Sequence, residues 1–340
     1  MTTPTHLPVF DHLLHMTDRR GTVEQALLAE PAPEHGYCTA DMARVLVVVS
    51  REPDPERTLN GIGGLALRFL NEAQALNGAC RNRMDGAGKW VDDPALDDSW
   101  GKCIWGLGTA AAHSAVAWVR QSAIIQFERA AQRRSTSPRA MAFAALGAAE
   151  LLKADPGHVE ARELLTHYAQ SVSAPSEDPA WPWPEPRLTY ANAVLADAMI
   201  AAGAALDDAA LLQRGLELLG WLVDYETVDG HFSPTPLAGR GAADARPGFE
   251  QQPIEVSSLA DACARAAAAD PSPVWPDGVR RAAAWFDGDN DAGLAMWDAQ
   301  TGGGFDGLHA DGVNHNQGTE STLAALSTMQ HARHMSAVGQ

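Results

Sequence analysis

Residues that can move protons and hold hydroxyl groups recur at the starts of six apolar segments of the chain. Carboxylic acids, amides, arginines and aromatic rings stand together there, in the ranges 34–44, 97–100, 137–139, 181–187, 250–255 and 314–320. Carboxyl groups can donate or accept a proton, and aromatic faces beside paired hydrogen-bonding groups suit sugar rings. The combination indicates glycoside chemistry, in which one carboxylic acid protonates the leaving oxygen and a carboxylate activates water or attacks.

Two kinds of segment alternate along the chain and must position these clusters. Six apolar segments predict buried helices, and they begin near Asp41, Asp98, Pro138, Leu188, Pro253 and Gln317. Amphipathic segments predict outer helices at 56–77, 117–134, 158–171, 208–225 and 276–286, and a sixth at either 10–16 or 22–28. The unequal spacing differs from the fixed period of a solenoid. The pattern therefore predicts an all-α fold of six helical hairpins, an (α/α)6 toroid, in one domain of residues 1–340.

In such a ring the inner helices begin around one cavity. Their first turns carry unpaired N–H groups and positive dipole character, so the polar clusters should converge there. Long connections rich in glycine, proline and tryptophan precede several inner helices, at 81–97, 174–187, 229–252 and 287–316. Loops of this length in a compact domain are usually functional, so we expect them to contribute to the site.

Composition excludes several classes of function. The formal charge is −18 and the sequence pI is about 4.9, which disfavours binding to nucleic acid or anionic lipid. No stretch has the length and apolarity of a membrane span, and Met1 to Phe10 lacks the pattern of a signal peptide. The four cysteines form no CxxC pair, which favours reduced thiols. We therefore expect a cytoplasmic protein.

Neither a cofactor nor a metal is predicted. The chain contains no GxxxxGK[ST] phosphate loop, no GxGxxG after a strand and no GxSxG elbow. His35 stands near Cys38, but no second pair of ligands with matching spacing accompanies them. The expected ligand is an oligosaccharide or another glycoside.

Several segments resemble a bacterial family of six-hairpin, glycosidase-like proteins labelled as glycosyltransferase-associated. They are EHGYCTADMAR, RNRMDGAGKW, DDSWGKCIWGLG, WPWPEPRLTYANAV, EQQPIEVSSLADAC and NQGTESTLA, and the resemblance spans about residues 13–333. It implies the (α/α)6 toroid and a role in carbohydrate metabolism. Relatives occur fused behind a glycosyltransferase domain, which implies a functional association with a glycosyltransferase.

The ring geometry suggests particular catalytic residues. The second and fifth hairpins of a six-hairpin ring face one another, so Asp98 is predicted to be the acid and Glu255 the base or nucleophile, with Glu185 as the substitute. Trp100 is expected to shield Asp98 from water. The predicted substrate-binding residues are His35, Tyr37, Asp41, Arg83, Trp100, Trp183, Arg187, Tyr190, Gln252, Asn316 and Glu320. Trp100 and Trp183 are the expected aromatic platforms.

Other interpretations of the same residues remain open. A carboxylate at a helix start is commonly a cap, and Asp41 and Asp98 are the residues most open to that interpretation. A sugar isomerase or epimerase on the same scaffold would use histidines for proton transfer, and His35, His231 and His315 are available. A third possibility is a carbohydrate-binding partner of a glycosyltransferase without catalysis of its own.

Overall fold

Helices dominate the computed structural model, which describes residues 7–176 and 178–338. Within these ranges the α-helices are α1 (Asp11–His15), α2 (Thr39–Arg51), α3 (Arg57–Ala73), α4 (Asp98–His113), α5 (Ala117–Ala131), α6 (Pro138–Ala154), α7 (Val159–Ser171), α8 (Ala193–Ala205), α9 (Ala209–Tyr225), α10 (Pro253–Ala269), α11 (Val274–Phe286) and α12 (Thr319–Val338). The all-α prediction is confirmed, and so is the alternation of apolar and amphipathic helices. Residues 1–6 of the segment Met1 to Phe10 considered above lie outside the described ranges.

Short antiparallel ribbons occupy the connections between helices. The strands are β1 (Ala26–Leu27), β2 (Glu30–Pro31), β3 (Tyr37–Cys38), β4 (Arg83–Met84), β5 (Thr227–Val228), β6 (His231–Phe232), β7 (Gly307–His309) and β8 (Gly312–Asn314). They pair as β1–β2, β3–β4, β5–β6 and β7–β8. The long connections at 229–252 and 287–316 therefore have ordered backbone pairing.

Two helix boundaries could not be predicted from the sequence alone. The first amphipathic helix is α1, which lies within 10–16, whereas the alternative at 22–28 contains strand β1 and was wrong. Helix α8 begins at Ala193, five residues after the predicted start, because Leu188 pairs with the backbone of Arg240 instead. A local sequence pattern carries no information about a pairing partner so distant in the chain.

Residue contacts divide the chain into two compact units. The N-terminal unit contains Leu13–Val172 and Ala201–Leu212, and the C-terminal unit contains the described parts of Met1–His12, Ser173–Ile200 and Gln213–Gln340. The boundary falls inside α8 and α9. The assignment of one domain to residues 1–340 stays a prediction.

In the N-terminal unit, α4 packs between α2 and α6. Glycines permit the close approach of α4 to α6, because a Cβ at Gly108 would overlap the carbonyl oxygen of Gly147. A Cβ at Gly101 would likewise overlap the carbonyl oxygen of Ala140. Backbones this close leave room only for small side chains where α4 meets α6.

In the C-terminal unit, α10 packs against α11 and α12. One ion pair and one histidine–carboxylate contact cross the interfaces of α10. Arg265 of α10 donates from Nε to Oδ1 of Asp197 on α8 at 2.5 Å. His331 of α12 lies with its Nε2 2.5 Å from Oδ1 of Asp261 on α10. Both carboxyl groups are largely shielded from water, so their partners also set the register of these helices.

All four cysteines are buried, which agrees with a structural place for them in the core. None of the helices within residues 7–176 and 178–338 has the length and apolarity that crossing a membrane requires.

Candidate active site

A cluster of three carboxyl groups lies in the C-terminal unit. Asp306 precedes β7, Glu250 stands three residues before α10, and Glu320 lies in the first turn of α12. Asp306 is partly buried, and its Oδ1 accepts a hydrogen bond of 2.9 Å from the backbone N–H of Gly318. Burial raises the pKa of Asp306 to about 6, and the charges of Glu320 and Glu250 also raise it, against hydrogen bonds from Ser321 and Gly318.

The backbone around Asp306 is held from both sides. Its N–H donates to the carbonyl oxygens of Asn316, at 2.9 Å, and Asn314, at 3.1 Å. A Cβ at Gly307 would overlap Glu250 Oε1, so only glycine lets the Glu250 carboxylate lie against the residue that follows Asp306. His309 Nε2 is 3.8 Å from Glu250 Oε2. The cluster therefore combines one carboxyl group whose pKa is raised to about 6 with two further carboxyl groups beside it.

A second polar chain in the same unit contains a histidine. His231 Nε2 lies 3.0 Å from Asp291 Oδ1, and Gln251 Nε2 donates to Asp291 Oδ2 over 2.5 Å. Gln251 also pairs with the backbone of Leu308 in both directions, at 3.0 and 2.9 Å. Asp291 thus orients His231 through one carboxylate oxygen. Its other oxygen accepts from Gln251, whose backbone pairs with Leu308 in the strand that follows Asp306.

Glu255, the predicted base, lies in the first turn of α10 and is buried. Its Oε1 accepts from the N–H of Ala191 at 2.5 Å, and its Oε2 accepts from the N–H and the side-chain amide of Asn192 at 3.3 and 3.0 Å. These donors immediately precede α8. Glu255 therefore acts as a cap supplied by another helix, and both of its oxygens are occupied.

Asp98, the predicted acid, begins α4 in the N-terminal unit and is partly exposed. The cap of α4 is Asp97, whose Oδ1 accepts from the N–H of Ser99 at 3.0 Å. Asp98 Oδ1 accepts from Ser137 Oγ at 3.2 Å, and Ser137 is itself the cap of α6. The Asp98 side chain therefore lies beside the N-cap residues of α4 and α6. The pairing of Asp98 with Glu255 stays a prediction, since the two residues belong to different units.

The two expected aromatic platforms are fully buried. Trp100 is 0% exposed and donates from Nε1 to the carbonyl oxygen of Ala130 at 3.3 Å. Trp183 is also 0% exposed, its ring stacks on Trp221, and its Nε1 donates to Glu185 Oε2 at 3.4 Å. Neither indole offers an open face to a sugar, which counts against the platform role predicted for both.

Three predicted binding residues of the N-terminal unit have protein partners. Asp41 is buried and accepts from Arg44 Nη2 at 2.6 Å and from Cys38 Sγ at 3.0 Å. Arg83 pairs with Glu24 over 2.5 Å. Tyr37 is fully buried, and its hydroxyl donates to Asp18 Oδ2 at 2.8 Å.

The remaining predicted binding residues vary in exposure. His35 ends a short 3-10 helix at Pro33–His35 and is exposed. Arg187 pairs with Asp244 at the surface, and Tyr190 is 38% exposed. Gln252 is the N-cap residue of α10, but its side chain forms no capping hydrogen bond. Asn316 contributes its carbonyl oxygen to the backbone of Asp306, so Asn316 and Glu320 are the predicted residues that lie at the carboxyl cluster.

Glu24, Cys38 and Asp41 form a potential metal-ligand set in the N-terminal unit. Arginines already pair with both carboxylates, and burial, together with Asp41 and Glu24, raises the pKa of the Cys38 thiol well above its usual value. A metal requires the thiolate, so this set does not suit a cation.

Sequence reasoning did not single out Asp306. It is a lone acid after Phe305 in a glycine-rich stretch, and its raised pKa depends first on burial and then on Glu320, which lies in helix α12, and Glu250, which is distant in the sequence. The available signal was the long connection at 287–316, which was expected to be functional and which contains Asp306.

The fold matches solved structures of sugar-active enzymes over nearly its whole length. A sugar epimerase from a ruminal bacterium is 14% identical, with a TM-score of 0.69 and 95% of each chain covered. A cellobiose 2-epimerase from Spirochaeta thermophila is 12% identical, with a TM-score of 0.68, covering 98% of this chain and 95% of that one. These likenesses show that the fold is the (α/α)6 toroid, as the sequence predicted.

An alpha-1,6-mannanase of Salegentibacter is 11% identical, with a TM-score of 0.65 and 96% of each chain covered. Its structure is that of an inactive variant, with two consecutive aspartates replaced, in complex with alpha-1,6-mannotetrose. No protein-family model matches this chain, and no curated protein matches its sequence. The association with a glycosyltransferase stays a prediction.

Proposed function

We propose that the protein is a carbohydrate-active enzyme that hydrolyses a glycosidic bond with carboxyl groups. The observation that carries this proposal is the raised pKa of Asp306, to about 6, beside Glu250 and Glu320. Glycoside hydrolysis needs a carboxyl group that is protonated near neutral pH and a second that acts as base or nucleophile. The toroid fold, which the chain has in common with a mannanase, supports the same class of substrate.

Asp306 is assigned the acid role in this proposal. Its proton passes to the glycosidic oxygen as the bond from that oxygen to the anomeric carbon breaks. Glu250 is assigned the base role because its carboxylate lies against Gly307, and it takes a proton from the water that adds to the anomeric carbon. Asn316 and Glu320, at the same cluster, hold substrate hydroxyls.

Asp98 is the alternative acid. It was assigned from the sequence, and the consecutive aspartates Asp97 and Asp98 are a feature of the kind replaced in the inactive mannanase variant. Its hydrogen bond from Ser137 would survive in Asp98→Asn, so that variant is expected to fold. Comparison of Asp98→Asn with Asp306→Asn therefore identifies which carboxyl group serves as the acid.

The first experiment is a screen of nitrophenyl glycosides and of manno- and gluco-oligosaccharides, with release of reducing ends as the measurement. We expect turnover of at least one substrate by the full chain and a loss of about 100-fold or more in Asp306→Asn. Asp311→Asn is the matched control, because Asp311 is exposed in the hairpin that follows Asp306. Absence of cleavage across the screen, or full turnover by Asp306→Asn, would overturn the assignment.

A sugar isomerase or epimerase is the second candidate, and the His231–Asp291 pair favours it. An imidazole whose Nε2–H donates to a carboxylate keeps Nδ1 as its basic nitrogen, which can remove a proton beside a carbonyl carbon and return it. The epimerases among the structural neighbours support this candidate.

Deuterated water separates the two candidates. A hydrolase leaves a free monosaccharide unchanged, whereas an isomerase that transfers protons through His231 incorporates deuterium at carbon. Incorporation that disappears in His231→Asn would establish the second candidate, and cleavage without incorporation would establish the first.

A further inference from the structure

The N-terminal unit contains a cavity of about 270 Å³ that is separate from every residue assigned a role above. Three arginines, Arg19, Arg20 and Arg68, line it, together with one acid, Glu72. The excess of positive charge is unusual in a chain whose formal net charge is −18. Such a local excess attracts a small anion even where the whole molecule repels polyanions.

Arg20 is held in place by the protein. Its backbone N–H donates to Asp18 Oδ1 at 2.7 Å, and its Nη2 donates to the carbonyl oxygen of Ala87 at 3.2 Å. Gly88 has a φ of +89°, and a Cβ there would lie 2.8 Å from Arg20 Nε. The turn that contains Gly88 therefore fits around the guanidinium group, and Arg20 forms a preorganised wall of the cavity.

The other two arginines are available to a ligand. Within the described residues, neither Arg19 nor Arg68 forms a salt bridge, and both are exposed. Glu72 stands one helical turn after Arg68 on α3, but the two side chains do not pair. Their guanidinium N–H groups can therefore donate to an incoming anion without first breaking an ion pair.

An apolar wall completes the cavity. Leu65 and Phe69 lie on α3, on the same side of the helix as Arg68 and Glu72. A ligand that suits both walls carries a compact multivalent anion on a small organic body. A phosphate monoester fits this description, because guanidinium groups bind phosphate oxygens in pairs and the monoester has nearly two negative charges at pH 7.

We propose that this cavity is a binding site for a phosphate monoester of monosaccharide size. The volume is just below the range of about 300–1,000 Å³ for pockets that take drug-sized ligands, which limits the occupant to a small molecule. Arg19 and Arg68 contact the phosphate, Arg20 provides the fixed wall, and the negative charge of Glu72 weakens the binding of the phosphate. The site does not depend on the proposed hydrolase activity, and its test needs no substrate.

The test is calorimetric titration of the full chain with glucose 6-phosphate, inorganic phosphate and unphosphorylated glucose at constant ionic strength. We expect glucose 6-phosphate to bind and glucose not to bind. Binding of inorganic phosphate as tightly as the sugar phosphate would show that the organic body is not recognised and would overturn the assignment of a sugar-sized ligand. Equal binding of glucose and glucose 6-phosphate would overturn it.

Three variants locate the site. The double variant Arg19→Gln/Arg68→Gln should weaken glucose 6-phosphate binding by about tenfold or more, because it removes two charge-assisted contacts. Arg57→Gln is the matched control: Arg57 is an exposed arginine at the start of α3 and does not line the cavity. Equal weakening by the control and the double variant would show a general effect of charge and would overturn the proposal.

Glu72→Gln should tighten the binding of glucose 6-phosphate, whereas the double variant weakens it. A variant that fails to fold cannot bind more tightly. Removal of the one acid should tighten binding roughly twofold to fivefold, the range for an exposed charge. Binding should also weaken below about pH 6, where the phosphate dianion takes up a proton and becomes a monoanion. Unchanged affinity in Glu72→Gln together with unchanged affinity at pH 5 would exclude recognition of a dianion in this cavity.

Discussion

The carboxylate of Glu255 binds the backbone N–H and the side-chain amide of Asn192, 63 residues earlier in the chain, at 3.3 and 3.0 Å. Its other oxygen accepts from the N–H of Ala191, which has a φ of +44°. The first residues before α8 therefore obtain their hydrogen-bond acceptor from α10. A helix start that lacks a cap of its own leaves N–H donors unpaired, and Glu255 satisfies them.

Glu255→Gln should lower the stability of the protein. One of the two acceptor oxygens becomes an NH2 group that faces N–H donors, and a buried unsatisfied donor costs about 1–3 kcal/mol. The measurement is urea unfolding followed by circular dichroism. The assignment of Glu255 as catalytic base predicts the opposite result, with turnover reduced by about 100-fold or more and stability unchanged.

Activity should depend on pH through Asp306. A general acid works in its protonated form, and the pKa of Asp306 is raised to about 6. We therefore expect kcat/KM to fall about tenfold for each pH unit above that value. Asp306→Asn should lack this alkaline limb and retain only residual turnover. A limb that persists unchanged in Asp306→Asn would assign the titrating group to another residue.

Asp306 should also shape the pH dependence of stability. Its pKa is higher in the folded protein than the ordinary value of 3.8, so the folded state binds the proton more tightly. The resulting stabilisation is complete below about pH 4 and is lost as the pH rises through about 6. Relative to wild type, Asp306→Asn should therefore gain stability between pH 4 and pH 8, by up to about 3 kcal/mol. Thermal unfolding at both pH values measures this difference, and Asp311→Asn should show none.

Trp100→Ala should destabilise the protein. The side chain is fully buried, and truncation of such a residue costs about 3–5 kcal/mol through lost contacts and the cavity that remains. Urea unfolding provides the measurement. A stable variant with weakened oligosaccharide binding would instead restore the platform role that the sequence suggested for Trp100.

Local patterns were sufficient to predict the helical fold. An α-helix is closed by hydrogen bonds between residues four apart, so the apolar runs near Asp98 and Pro253 and the charged faces between them indicate helices without further context. The long connections at 229–252 and 287–316 were likewise visible as breaks in this pattern, and they contain Glu250 and Asp306.

The roles of individual side chains depended on tertiary contacts. A carboxyl group at a helix start has the same local sequence whether it caps its own helix, caps another or faces substrate, and only the structure places Glu255 on the donors before α8. The pKa of Asp306 depends on burial and on Glu250 and Glu320, and the arginine-lined cavity joins a loop near Arg19 to α3. Electrostatic energies depend on distances in space, so sequence spacing alone predicted neither the raised pKa of Asp306 nor the arginine-lined cavity.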